Sequence, residues 1–240
     1  MKKEKIAKVL AHRGLGSRRG AEGLVRAGHV TVNGVMIDNV AELIDPEASI
    51  TVEGNILPLS EAPRLWAFYK PPGCLTTRHD PEGRATIYDF LPPSLHQTHY
   101  IGRLDYTTEG LLLLTNSPIL KKTWEDPATG LIRRYRVRIW GHLRKEDYDD
   151  MRRPMTIEGM RYQAFGIQIE RETHQHSWLS VTLTEGKNRE IRRVFDYFGY
   201  PVTRLIRTAY GPYALADLPL KEGEVMPLTL PPPPLGITQG

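Results

Sequence analysis

Residues 102–116 read Gly102-Arg103-Leu104-Asp105-Tyr106-Thr107-Thr108-Glu109-Gly110, then Leu111 to Leu114, then Thr115-Asn116. Four consecutive leucines between a glycine and a polar pair read as a buried strand. The polar segment before them is therefore anchored, and Asp105 is held between a basic residue and a turn. A lone Asp after Leu is ordinarily a turn or cap residue. Here Arg103 stands two positions back, and Thr107 and Thr108 are placed to hydrogen-bond locally and hold the loop. A carboxylate kept in that setting is a candidate nucleophile.

The partner class follows from where the charge lies. The whole chain of 240 residues carries only +4, but residues 1–30 carry +6 and the remainder −2. A basic end on a near-neutral body points to a polyanion, either nucleic acid or a membrane surface, and equally fits a solvated helix face. Cys74 is the single cysteine, which excludes an internal disulfide and a cysteine-based metal cage. The basic N-terminus is not followed by a long apolar stretch, and Leu111–Leu114 is far too short to span a bilayer, so the expected setting is cytoplasmic and not membrane-bound.

Hydrophobic spacing predicts a helix over 4–12, with Ile6, Val9 and Leu10 inward, broken by Gly14 and Gly16. Ser17 is a good N-cap for a second helix that buries Ala21, Leu24 and Val25 and stops near Gly28. Gly20 and Gly23 weaken that helix, which therefore needs tertiary support. Asn33-Gly34 between His29–Val32 and Val35–Ile37 is a hairpin signal, and a strand follows at Ser49–Val52. The first domain spans 1–58, the linker 59–64, the second domain 65–230, and a Pro-rich loose tail 231–240. The second domain opens on Leu65–Gly73, a strand ended by a turn, and further strands are expected at 99–104, 110–115, 132–140, 162–170, 177–184 and 203–210. Helices are expected at 118–125, 144–152 and 188–198. The class is α+β, with a mostly antiparallel sheet and flanking helices.

Three further groups carry chemistry. In Arg133–Ile139 a period of two puts Arg134, Arg136 and Arg138 on one face and Tyr135, Val137 and Ile139 on the other. The arginines suit phosphates. Tyr135 is open to two roles, ordinary core or a flat surface for a nucleobase. The segment Glu185-Gly186-Lys187-Asn188-Arg189-Glu190-Ile191-Arg192-Arg193 begins a helix whose buried stripe is Ile191, Val194, Phe195 and Phe198. Lys187, Asn188 and Arg189 lie near its N-terminus, and one of its arginines is a candidate partner that keeps Asp105 ionised in a dry pocket. At the N-terminus, Lys5, Lys8, Arg13, Ser17, Arg18 and Arg19 surround the junction of two helices and offer guanidinium groups to a phosphate backbone.

These groups, in this order, resemble the RsuA/RluB-type pseudouridine synthases over residues 4–230. The resemblance rests on 102–116, on 185–193, and on Leu205-Ile206-Arg207, Gly211-Pro212 and the Leu218-x-x-Lys-x-Gly segment. Residues 4–50 are similar to the small αL RNA-binding module of ribosomal protein S4, through Gly16-Ser17-Arg18-Arg19-x-Ala-Glu and Gly28–Gly34. The resemblance implies that Asp105 is the catalytic aspartate, Tyr135 the tyrosine that stacks on uracil, and Arg192 the basic partner of the aspartate. It implies a uridine in ribosomal RNA as substrate, the large-subunit (23S) RNA ahead of the small-subunit one. Arg103, Arg134, Arg136, Lys187, Asn188 and Arg189 then join the N-terminal cations as RNA contacts. Ser117, Glu190, Gly20 and Gly23 depart from the family pattern, with Glu190 where Gln is common.

The implied reaction breaks the bond from ribose C1′ to uracil N1 and joins C1′ to C5. It involves neither redox change nor hydrolysis, so no cofactor and no metal are expected. The pairs His96/His99 and His174/His176 lack supporting ligands. A monomer is the simplest state. Two rival readings are an RNA-binding assembly factor without activity and an aspartate-nucleophile hydrolase or phosphotransferase. The latter would want an acidic metal cluster or a phosphate-cradling glycine loop, and neither is found.

Overall fold

The computed structural model describes residues 3–59 and 61–231; the expected tail beyond Pro231 and one position of the expected linker lie outside them. The chain divides into two compact units, Met1–Pro63 with Asn116–Pro118, and Arg64–Thr115 with Ile119–Gly240.

The first unit runs β1 (Glu4–Lys5), α1 (Ile6–His12), α2 (Arg18–Arg26), β2 (Val30–Val32), β3 (Val35–Ile37), β4 (Leu43–Ile44), β5 (Ile50–Val52) and β6 (Asn55–Leu57). Its antiparallel sheet has the order β3-β2-β5-β6, and β1 pairs with β4. Ile6, Leu10, Ala21, Val25, Val30 and Ile50 are all fully buried and form its core. Ser17 caps α2 by accepting a hydrogen bond from the Gly20 N–H at 3.1 Å. Asn33 and Gly34 both take positive φ, 49° and 82°, as a two-residue hairpin turn requires. The first helix starts at Ile6 rather than at residue 4, because Glu4 and Lys5 are extended and pair with Ile44 and Leu43. A second hairpin, β5–β6, turns on Glu53 and Gly54 at φ 52° and 80°. Its Glu-Gly turn lacks the Asn or Asp that marks such turns in a sequence.

The second unit comprises β7 (Leu65–Lys70), β8 (His99–Ile101), β9 (Glu109–Thr115), α3 (Pro118–Glu125), β10 (Arg133–Trp140), α4 (Lys145–Met151), β11 (Met155–Ile157), β12 (Met160–Tyr162), β13 (Gly166–Glu172), β14 (His176–Leu183), α5 (Glu190–Tyr197), β15 (Val202–Tyr210), β16 (Tyr213–Ala214) and β17 (Val225–Leu228). One sheet runs β13-β14-β10-β15-β9-β7-β17, with β8 beside β9 and β16 beside β15. Its pairings are antiparallel except β9 with β15, which is parallel.

Both faces of β9 are buried. Leu112 and Leu114 join Phe68, Ile87, Leu91 and Leu104 on one side. Leu111 and Leu113 join Ala67, Ile101, Trp124 and Tyr210 on the other. A third cluster packs α5, through Ile191, Val194 and Phe195, onto Val137, Leu179, Val181 and Leu205. Tyr135 touches this cluster and the Leu112/Leu114 cluster, so it lies at their junction.

Several boundaries differ from expectation for local reasons. The strand expected over 99–104 ends at Ile101, because Gly102 turns the chain at φ 66°. The helix expected over 188–198 starts at Glu190, because Arg189 is left-handed at φ 51°. The strand expected over 162–170 is two strands, β12 and β13. The β11–β12 hairpin uses another Glu-Gly turn, Glu158 and Gly159 at φ 50° and 78°.

The β9–β15 pairing is only two residue pairs long, Glu109 with Ile206 and Gly110 with Arg207. Gly110 has φ 109°, and a Cβ there would lie 2.4 Å from the Arg207 carbonyl oxygen. Gly110→Ala is expected to destabilise the protein by about 3 kcal/mol or more, since it combines backbone strain with a clash against main chain. Thermal unfolding should show this as a midpoint lowered by about 6–12 °C. Gly23→Ala should do the opposite. Gly23 sits inside α2 with nothing within 4 Å of its Cβ position, so the change should stabilise by about 0.5–1 kcal/mol, read by denaturant titration of the same chain.

Candidate active site

The loop from Gly102 to Gly110 is pinned at nearly every other residue. The Gly102 N–H donates to Glu125 Oε1 at 2.8 Å. Thr76 brackets Leu104: its hydroxyl donates to the Leu104 carbonyl at 2.8 Å and accepts from the Leu104 N–H at 3.3 Å. The Gly73 N–H donates to the Tyr106 carbonyl at 2.8 Å, and the Thr108 N–H to the Asp105 carbonyl at 3.0 Å. Under the loop lies Lys70, fully buried, whose ammonium donates to the carbonyls of Pro71 and Thr108, both at 2.9 Å. Burial pulls the Lys70 pKa down, while Cys74 and Asp105 pull it up. Of the two threonines expected to hold the loop by local hydrogen bonds, Thr108 does so through its main-chain N–H, and its buried Oγ1 has no partner.

Asp105 opens into a cleft of about 70 Å³ lined by Arg103, Thr108, Tyr135, Gly186, Lys187, Arg189, Glu190 and Leu205, among others. Two guanidinium groups face its Oδ2, Arg189 Nη1 at 3.6 Å and Arg192 Nε at 4.0 Å. Arg192 is the fixed one: its side chain is 11% exposed and Nη1 donates to the Val202 carbonyl at 3.0 Å. Burial lowers its pKa, as does Arg189, and Asp105 counters them. Arg189 is 47% exposed and Asp105 29% exposed, so the pocket is open to water on one side rather than dry. The sheet thus brings Asp105, Tyr135 and the two arginines from three separate stretches of sequence to one cleft.

The arginine row of β10 lies elsewhere. Tyr135 and Leu205 face the cleft, whereas Arg134 and Arg136 are exposed on the opposite face of the sheet, by the alternation of the strand. There Arg136 Nε pairs with Glu170 at 2.7 Å, and its guanidinium lies 4.4 Å from the Trp178 ring centroid. Arg138 donates to Thr203 Oγ1 at 2.8 Å. His96 Nε2 lies 3.0 Å from the Leu91 carbonyl, and the His176 ring packs edge-on against Trp140.

Comparison with known proteins decides the family. Residues 64–197 match the RNA pseudouridylate synthase model and residues 4–50 the S4 domain model. The chain is 42% identical to an uncharacterized RNA pseudouridine synthase of Rickettsia felis, over 90% of this chain and 93% of that protein. It is 38% identical to the ribosomal large subunit pseudouridine synthase B of Salmonella typhi, over 92% and 76%. A crystal structure of a pseudouridylate synthase superposes with a TM-score of 0.68 at 25% identity, covering 94% of this chain and 96% of that one. The chain belongs to the RNA pseudouridylate synthase family.

In the S4 domain of this synthase, Lys5, Arg18 and Arg19 are exposed, and Lys8 pairs with Glu4. Ser17 is occupied as the α2 cap. Arg13, grouped with these from its position in the sequence, is turned inward instead. It is 8% exposed and donates to the carbonyls of Pro46 and Ala48, the latter at 2.7 Å. Its guanidinium ties the 45–49 turn to α1, a role that a linear reading cannot separate from phosphate contact.

Lys70, Thr76, Glu109, Arg204 and Arg207 are supports of the Asp105 loop and β9 that the sequence reading missed. Lys70 ends an apolar strand, and a lysine that closes a buried run before Pro71-Pro72-Gly73 was a usable signal. The others are recognisable only by partner: Arg204 forks onto Glu109 at 2.6 and 3.1 Å, and Arg207 Nε donates to the Leu111 carbonyl at 2.7 Å. No helix among the described residues is long and apolar enough to cross a membrane.

The two guanidinium groups should not count equally. A charge in a partly dry wall acts through a lower effective dielectric than one in water. Arg192→Ala is expected to lower kcat/KM on an RNA substrate by about 10²-fold. Arg189→Ala should lower it by about tenfold or less. Steady-state rates of the two purified variants check the order.

Proposed function

We propose that this synthase isomerises a uridine of ribosomal RNA, the large-subunit RNA in preference to the small, with Asp105 as the catalytic group. The observation that carries the reading is the convergence of Tyr135 and Arg189 on the cleft that holds Asp105, with Arg192 facing the same carboxylate oxygen. The preference for large-subunit RNA rests on the Salmonella typhi relative. The reading requires one extruded base to lie at the open mouth of the cleft, since a base within a duplex cannot bring its sugar to a carboxylate set in a recess.

In this reading the extruded uracil lies against Tyr135, and stacking offsets the few kcal/mol that unstacking costs. Asp105 acts at the sugar, either by attack on C1′ or by removal of a sugar proton. The C1′–N1 bond breaks, the freed ring turns, C5 bonds to C1′, and the C5 proton is passed to N1 through solvent or a side chain. Arg189 and Arg192 face the reacting carboxylate and hold it by ion pairing. Arg103, Lys187 and Asn188 around the mouth, with the exposed cations of the S4 domain, hold the RNA backbone.

Asp105→Asn is nearly isosteric, so it should leave RNA affinity within about twofold and reduce turnover by about 10³-fold or more. Pseudouridine mapping on large- and small-subunit transcripts incubated with wild type and variant tests both halves. Product made by the variant at the wild-type rate would remove Asp105 from the chemistry. No product from either transcript with wild type would favour an RNA-binding factor.

A further inference from the structure

The 185–190 loop, which carries Lys187 and Arg189 to the cleft, is closed by a carboxyl group that has no business being ionised. Glu190 is 4% exposed. Its Oε2 accepts the Lys187 N–H at 2.9 Å, which closes the loop back onto the start of α5. Its Oε1 is buried and meets no donor. The group that faces it is a second carboxyl, Glu185, at the other end of the same loop. Glu185 already accepts the Gln163 N–H at 2.9 Å and the Lys187 ammonium. Lys187 ties both carboxyl groups to the loop, giving its N–H to Glu190 and its ammonium to Glu185, and a proton on the buried Glu190 satisfies its orphaned oxygen and removes the repulsion.

We propose that Glu190, protonated and hydrogen-bonded to Glu185, is a positioning residue that latches the 185–190 loop over Asp105, and that loss of this proton releases the loop. The inference rests on the reading of Asp105 given above. It makes Glu190 act through Lys187 and Arg189 and not on substrate. The surroundings favour the neutral form. Burial is the largest influence and the Glu185 contact adds to it, raising Glu190 to about 8, while the Lys187 N–H and ammonium oppose. Glu185 itself moves the other way, held below its ordinary value by Lys187 and the Gln163 N–H against its own burial. Other charged or titratable groups around the cleft are Arg189 on the same loop, Arg103 and Asp105 on the facing loop, and Tyr135 on β10. Tyr162 of β12 lies under the Lys187 ammonium, 5.6 Å from it.

A raised carboxyl pKa means that the latch is closed below about pH 8 and opens above it. The synthase should lose kcat/KM as a single proton leaves, about tenfold per pH unit on the alkaline side. Glu190→Gln replaces the shared proton with an amide N–H that does not titrate, so activity near neutrality should be kept and the alkaline limb should vanish. Glu185→Gln should also flatten the limb by a different route, since its amide donates to an ionised Glu190. Glu190→Ala removes the latch and should be slow at every pH.

The experiment is the pH–rate profile of wild type and these three variants between about pH 6 and about pH 10. It is paired with infrared difference spectra of RNA-free protein, in which the carbonyl stretch of a protonated carboxylic acid should fade with the same midpoint. That band should be missing from both glutamine variants. The infrared readout needs no activity, so it stands even if Asp105→Asn proves active and the catalytic reading falls. A wild-type alkaline limb retained in Glu190→Gln, full activity of Glu190→Ala, or the absence of the carboxylic band from wild type would each overturn the proposal.

Discussion

The close approach of β9 to β15 is the constraint on which the catalytic half of the molecule depends. The two strands run parallel for only two residue pairs, and a glycine is required at one of them because the Arg207 carbonyl occupies the space of any side chain. Two side-chain ties reinforce so short a ladder, and a third contact steadies one of them. Arg204 forks onto Glu109, Arg207 reaches the Leu111 carbonyl, and Arg207 lies over Tyr210. The loop that presents Asp105 enters β9 at this point, so the register of β9 against β15 sets where the carboxylate stands relative to Tyr135 on the next strand.

Cations below and beside the loop complete the arrangement, and they do different jobs. Lys70 and Arg207 are buried and bond to main-chain carbonyls, which makes them struts. A buried ammonium held by two carbonyls is tolerable where a carboxylate lies nearby, and Asp105 is that carboxylate. Arg189 lines the cleft, and both Arg189 and Arg192 face Asp105. The loop carrying Arg189 is closed by a carboxyl pair. The polar apparatus thus surrounds one aspartate with charge of the opposite sign at several depths, and only the outermost of these groups is free to follow an RNA.

A good part of this was legible along the chain. The Asn33-Gly34 hairpin, the Ser17 cap, the α5 stripe and the all-leucine strand are local, because their signals lie within a few residues of each other. Membership in the pseudouridine synthases was legible in 102–116 and 185–193. What was not legible was long-range or atypical. Arg13 reads as a phosphate ligand in the sequence and is a structural donor in the fold. The Arg134/Arg136 row was found as a row, but which face of the sheet it occupies is settled by what packs on Tyr135. Two hairpins turned on Glu-Gly pairs escaped, since Glu has no side-chain bond that favours positive φ and tertiary pairing supplies the cost.

The sequence by itself determined the α+β class, the S4-like module and the segments that carry Asp105 and the arginines beside it, because periodicity, turn residues and short motifs are encoded in neighbouring positions. Only the tertiary structure decided which arginine is buried and which is exposed, which lysine supports the loop, and that Glu190 is buried with one acceptor left over. Those outcomes depend on burial and on the angle at which one segment crosses another, and neither quantity exists until the sheet has closed around β9.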